Sequence, residues 1–286
     1  MGQTVRTRDG MALVRRDWPS AGARGTIVVV HGLGEHIGRY AHVAARLNAN
    51  RWNVVGYDQR GHGKSPGERG RLAAGDDLLA DLAAVIDAVR AEASGPLVLL
   101  GHSLGGLVVA RFVAGSLESS PPAWRREVDA LVLSSPALDI GMTTAKRALL
   151  ATLEALTPNL GIGNGLDVNA ISRDAAVVAA YRADPLVHDR IAPRLVRFLA
   201  DAGPAVLALA PRWRVPTLLL YAGSDRCVVP AGSAAFAAAA PGSMVTTRVF
   251  PPLFHEIFNE PEQDEVLGVL TTWLDTLDVS LTRSPR

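Results

Sequence analysis

Among 286 residues the chain has one cysteine, Cys227, and two lysines, Lys64 and Lys146. A single thiol excludes an internal disulfide and a cysteine-built metal site. Charge of one sign is lacking too: 29 Lys+Arg stand against 28 Asp+Glu, a formal net of +1. That balance points to no nucleic-acid partner. No uninterrupted apolar run is long enough to span a bilayer. The first 17 residues carry charges throughout and no apolar stretch of signal-peptide length, so a soluble, cytoplasmic protein is expected. With 48% hydrophobic and 20% charged residues there is no room for a long disordered region.

What is present is alternation. Thr4-Val5-Arg6-Thr7 turns at Asp9-Gly10 into Ala12-Leu13-Val14-Arg15, a hairpin signal. Thr26 to Val30, Trp52 to Tyr57, Pro96 to Leu100, Ala130 to Leu133, Thr217 to Tyr221 and Met244 to Val249 are short apolar runs, the mark of strands covered on both faces. Helical spacing separates them. Leu78, Leu79, Leu82, Val85, Ile86 and Val89 share one face, with Asp76 as the expected cap; Val266, Leu267, Leu270, Trp273, Leu274 and Leu277 share another. This is an α/β pattern, a mainly parallel sheet of about eight strands with helices on both faces.

The alternation stops between Asp139 and Arg214. Only helical pieces are expected there, at 145–156, 174–183 and 190–201, with no strand. The expected division is a core of residues 1–138 and 215–279, a helical lid over the site at 139–214, and a flexible tail at 280–286. Leu149, Leu150, Leu153 and Leu156 make a face that suits either a lipid surface or the body of the protein, and both readings stand open. Arg190, Arg194 and Arg197 are expected on one solvated helical face.

The chain is organised around Gly101-His102-Ser103-Leu104-Gly105, between a strand run and Leu107-Val108-Val109-Ala110. So sharp a turn strains the serine backbone and leaves no room for larger neighbours two residues before and after it. A serine hydroxyl needs a base, and the base needs a carboxylate to hold its tautomer. Past the next-to-last strand comes Asp225, and past the last comes His255, which is where acid and base belong on such a sheet. Ser103, Asp225 and His255 are therefore the expected triad. Asp139 is the rival acid; His102, beside the serine, is expected to point elsewhere. A tetrahedral oxyanion wants two backbone N–H donors, assigned to Leu33 and Leu104. Asp58, in Asp58-Gln59-Arg60-Gly61-His62-Gly63-Lys64-Ser65, is expected to brace the site from beneath. This loop lacks the Walker spacing of a phosphate loop.

With these residues in place the chain resembles the α/β-hydrolase superfamily, in its monoglyceride lipase and lysophospholipase branch. His31-Gly32-Leu33-Gly34-Glu35-His36 is similar to that branch's oxyanion loop, and the Asp58 loop to its second signature. Ile171-Ser172-Arg173-Asp174 and Tyr181-Arg182-Ala183-Asp184-Pro185-Leu186-Val187 resemble its lid. The resemblance implies hydrolysis of a fatty-acid monoester of glycerol, without metal or cofactor, the acyl chain lying under the lid and Glu35, Arg39 and Tyr181 near a polar alcohol pocket. Cys227 lies two residues after the acid, where some members carry a cysteine three after.

The triad alone does not separate a monoacylglycerol lipase from a carboxylesterase of small or aromatic esters, a lysophospholipase or a thioesterase. A peptidase is disfavoured because no clear acidic site awaits an amino terminus, apart from Glu35. A dehalogenase is disfavoured because Ser103 stands where its aspartate would be. A non-catalytic receptor on the same fold would be expected to have lost a triad residue.

Overall fold

The computed structural model describes residues 3–277, so the tail expected at 280–286 lies outside the described residues. The hairpin forms as β1 (Gln3–Arg6) and β2 (Ala12–Trp18), with Val5 opposite Leu13. Next come β3 (Thr26–Val30), helix α1 (Ala41–Ala49), β4 (Asn53–Tyr57), α2 (Asp77–Glu92), β5 (Leu97–His102), α3 (Leu104–Gly115) and β6 (Ala130–Ser134). After a long excursion the alternation resumes with β9 (Thr217–Ala222), α7 (Pro230–Ala239), β10 (Val245–Phe250) and α8 (Gln263–Thr276). The excursion holds α4 (Thr144–Leu156), β7 (Ile162–Gly163), α5 (Ala175–Ala183), β8 (Arg190–Ile191) and α6 (Pro193–Leu209).

The eight-stranded sheet runs β1-β2-β4-β3-β5-β6-β9-β10, antiparallel only at the β1–β2 and β2–β4 pairings. Because side chains alternate along a strand, neighbouring residues feed two separate apolar clusters. Ile27, Val29, Val98 and Leu100 meet Val43 and Leu47 of α1 and Leu270 and Leu274 of α8. Val28, Val30 and Leu99 meet Leu82 and Ile86 of α2 and Leu107 and Phe112 of α3. Each such side chain contributes about 1.5–3 kcal/mol on burial. The clamped strands hold their carboxyl ends, and hence the loops that follow, in fixed register.

Three local expectations change. Asp76 makes no capping bond to α2. Its neighbour Asp77 is drawn inward by Arg60, at 2.9 Å, and accepts from Ala73 N at 2.7 Å and Ala74 N at 2.9 Å. Residues 139–214 do contain strand, the two-residue antiparallel pair β7–β8, too short to leave a periodicity in the sequence. The helix expected from residue 190 starts instead at Pro193, whose missing N–H costs nothing in a first turn, and continues through Pro204 to Leu209. Arg190 thus falls in β8. Arg194 donates to the carbonyls of Leu72 and Ala73, and Arg197 pairs with Asp201, so the three arginines do not form one solvated helical face. Among the described residues no helix is long and apolar enough to cross a membrane.

Candidate active site

β5 runs straight into α3 with Ser103 between them at φ 53° and ψ −119°. For a side chain other than glycine's this region is strained, and it survives only where the surroundings over-determine it. Here they do. Ser103 N donates to Ser134 O at 3.0 Å, and Ser103 O accepts from Leu107 N and Ala137 N, each at 3.0 Å. A Cβ on Gly101 would stand 2.4 Å from Gly105 O, and one on Gly105 2.1 Å from Val30 O. The glycines are thus a steric requirement of the turn.

Asp225 follows β9 and His255 follows β10, so adjacent parallel strands deliver them side by side. His255 Nδ1 lies 2.7 Å from Asp225 Oδ2, with both side chains buried. The other carboxylate oxygen accepts from Cys227 N at 2.8 Å and Val228 N at 3.1 Å. Burial pushes the Asp225 carboxyl upward, but His255 and the two backbone donors outweigh it and hold it below its ordinary value. With Nδ1 committed to Asp225, Nε2 is the His255 nitrogen suited to taking a proton from a hydroxyl. The rival Asp139 is turned to its own loop, accepting from Gly141 N at 2.8 Å.

His102 does not point away from this centre. Its ring centroid is 4.7 Å from that of His255, and its Nδ1 is 3.1 Å from Ser134 Oγ. Burial pulls its pKa down to about 3. It is therefore a neutral wall beside His255.

The loop after β3 lies against Ser103: a Cβ on Gly32 would come within 3.3 Å of Ser103 Cβ. Gly32 N donates to Glu35 Oε1 at 2.6 Å, which fixes the His31–Gly32 peptide, one before the peptide that carries Leu33 N. Leu104 opens α3, where backbone N–H groups have no acceptor within the helix. Beneath, Asp58 accepts from Ile37 N at 2.9 Å and Lys64 N at 2.8 Å, tying the two glycine-rich loops together as a brace. His31 adds to it, accepting from Gln59 N at 3.0 Å.

Glu35, Arg39 and Tyr181 come together, though not as free polar groups. Glu35 is buried; it accepts from Gly32 N, from Tyr40 Oη at 2.7 Å and from Arg39 Nη1 at 2.7 Å. Burial alone would raise the Glu35 pKa, but Arg39 and nearby His102, His31 and Tyr40 carry it down to about 2. Arg39 also grips Glu256 with two bonds of 2.7 Å, and its guanidinium lies 4.7 Å from the Tyr181 ring centroid. Sequence reasoning missed Glu256. It stands in His255-Glu256-Ile257-Phe258-Asn259-Glu260, a stretch similar to bacterial members of the branch, but no local pattern pairs it with an arginine 217 positions away.

Cys227 Sγ faces Ala170 O at 3.7 Å, and burial pushes its thiol up to about 12. Among the described residues, Asp225, Cys227 and His255 offer ligand-type atoms within 4.8 Å of one another. The carboxylate and imidazole are already bonded to each other and the thiol keeps its proton, so the donor chemistry fits the Asp–His pair better than an ion.

A mostly parallel sheet, a serine in a strained strand-to-helix turn and an Asp–His pair beyond the last two strands define an α/β hydrolase. The family model described as serine aminopeptidase, S33, matches residues 21–262, and the chain belongs to that family. It is 36% identical to the monoacylglycerol lipase of Mycolicibacterium smegmatis, over 93% of each chain. It is 30% identical to the monoglyceride lipase of Rattus norvegicus, over 93% of this chain and 88% of that one. The crystal structure of Paleococcus ferrophilus monoacylglycerol lipase superposes with a TM-score of 0.81 at 35% identity, covering 94% of this chain and 98% of that one. The chain is a serine hydrolase of the monoglyceride-lipase-like branch.

Proposed function

We propose that the protein hydrolyses monoacylglycerols to glycerol and fatty acid through an acyl-enzyme. The observation that carries the reading is the buried His255–Asp225 pair at 2.7 Å beyond the turn that holds Ser103. Ser103 Oγ attacks the ester carbonyl as His255 Nε2 takes its proton. Asp225 stabilises the imidazolium, and the tetrahedral oxyanion meets the N–H groups of Leu33 and Leu104. Collapse breaks the bond to the glycerol oxygen, which leaves with the proton from His255. Water, deprotonated by the same nitrogen, then releases the acid. No residue of this route needs a metal or cofactor.

The substrate class is supported by the relatives named monoacylglycerol or monoglyceride lipase. Tyr181 and Arg39 border the alcohol side, with Glu35 behind them. An aminopeptidase reading fits less well, because Glu35 already serves Gly32 N, Tyr40 and Arg39 and offers little to a substrate ammonium. Residues 139–214 act as the lid, and Leu149, Leu156, Leu160, Ile162 and Leu166, all exposed, give it a face for transient contact with a lipid surface.

The test is kcat/KM for a chain-length series of monoacylglycerols beside matching p-nitrophenyl esters, with Ser103→Ala as blank. Preference for medium or long monoacylglycerols is the expected result. Turnover of short activated esters alone would leave a carboxylesterase.

A further inference from the structure

Two segments that are far apart in the chain meet on one guanidinium, Glu35 and Arg39 lying on one and Glu256 on the other. Arg39 Nη1 is 2.7 Å from Glu35 Oε2 and 2.7 Å from Glu256 Oε1, and Nη2 is 2.7 Å from Glu256 Oε2. All three side chains are largely buried, at 12%, 4% and 6% exposure for Arg39, Glu35 and Glu256. Each glutamate makes further bonds at the site. Glu35 fixes Gly32 N, in the His31–Gly32 peptide one residue ahead of Leu33. Glu256 is the residue after His255; its own N–H donates to Ile171 O at 2.8 Å, and its Oε2 accepts from Asn259 Nδ2 at 2.8 Å. A planar guanidinium with fixed donor directions sets distances that a lysine would not.

We infer that Glu256 is a positioning residue for the reaction, acting through Arg39 to fix the His255 loop against the Glu35-held oxyanion loop. The inference rests on the serine-hydrolase reading of Ser103 and His255, not on glycerol as the alcohol. The groups facing His255 are Asp225 at 2.7 Å, the His102 ring at 4.7 Å and Cys227, with Glu256, Arg39 and Glu35 behind them. Residues 139–214 touch the clamp twice, Tyr181 on α5 lying over Arg39 and Ile171 O accepting from Glu256 N.

The experiment compares wild type, Glu256→Gln, Arg39→Gln and the double variant on a p-nitrophenyl ester and a monoacylglycerol. Active sites are counted by fluorophosphonate titration and folding is checked by thermal melting. Per titrated site, Glu256→Gln is expected to lower kcat by about 10- to 100-fold with KM little changed, since small misplacements of reacting groups carry penalties of that order. The loss should be equal on both esters. The double variant should lose no more than the worse single one. If per-site kcat stays at its wild-type value, or if the two losses multiply, the clamp is overturned. Should Glu256→Gln fail to fold, Arg39→Lys, which keeps the charge but not the two-pronged grip, carries the same expectations. Absence of monoacylglycerol turnover with the p-nitrophenyl pattern intact would refute the glycerol substrate and leave the clamp standing. Ester turnover that survives Ser103→Ala would refute the reading of the site itself.

Discussion

α4 and α6 lie in the same stretch between β6 and β9 and carry similar apolar stripes, yet only one is covered. In α6, Leu195 is 1% exposed and packs with Phe198, Ala202 and Val206 into the cluster that includes α3. In α4, Leu150 is 6% exposed, while Leu149 is 60% and Leu156 75% exposed. The ground between the two helices is joined to the rest by polar links: His188 N to Gly34 O at 2.8 Å, Ser172 Oγ to Asn259 O at 2.9 Å and His36 to Asp184 at 2.8 Å. Such bonds exchange with water for a net of about 0.5–1.5 kcal/mol each, whereas the α6 face cannot separate without exposing apolar surface. α6 has become core, and α4 with its following loop has not.

If this contrast is right, damage should sort by location. The largest effect is expected from Ser103→Ala, which should lower kcat/KM by about 10⁴- to 10⁶-fold on every ester and abolish fluorophosphonate labelling without changing the melting temperature by more than a few degrees. Retention of labelling would show that another residue is the nucleophile.

A pH titration of stability should give the next largest change. His102 is neutral down to about pH 3 in the fold, and burial also lowers His31 and His62, whereas unfolded imidazoles protonate near 6.5. The unfolded state therefore binds more protons below pH 6.5, and stability should fall as pH drops from there toward 3. The slope is at most about 1.4 kcal/mol per pH unit for each histidine. Melting at a series of pH values checks this, with His102→Gln expected to flatten the slope by about one proton. An unchanged slope would contradict it.

Gly105→Ala should follow, at about 3 kcal/mol or more by urea unfolding, because the added carbon would stand 2.1 Å from Val30 O and 2.5 Å from His31 O. Gly75→Ala, with nothing within 4 Å of the new carbon, is the matched control and should be near neutral. The smallest effects bear most directly on the two helices. Leu195→Ala should cost about 2–5 kcal/mol. Leu156→Ala should fall within about 0.5 kcal/mol and spare p-nitrophenyl ester turnover. An equal cost at the two leucines would mean that something covers α4 in solution.

The sequence by itself determined the strands of the main sheet, the tight turn at Ser103 and the Asp225–His255 order, because these follow from local rules. A five-residue strand buried on both faces must be apolar, a turn this tight must carry glycine, and loops after parallel strands emerge at one end of the sheet. Chain order also carried the α-helical character of α4 and α6, but not which one would be covered, since one amphipathic period fits a protein neighbour or a lipid surface equally. Only the tertiary structure decided that Asp77 rather than Asp76 serves the start of α2, that His102 lies against His255, and that Arg39 joins Glu35 to Glu256. Those outcomes depend on charges and rings brought together from distant loops. Their separation along the chain leaves no period to read, and the low dielectric that makes the pairings strong exists only once the sheet and helices have closed over them.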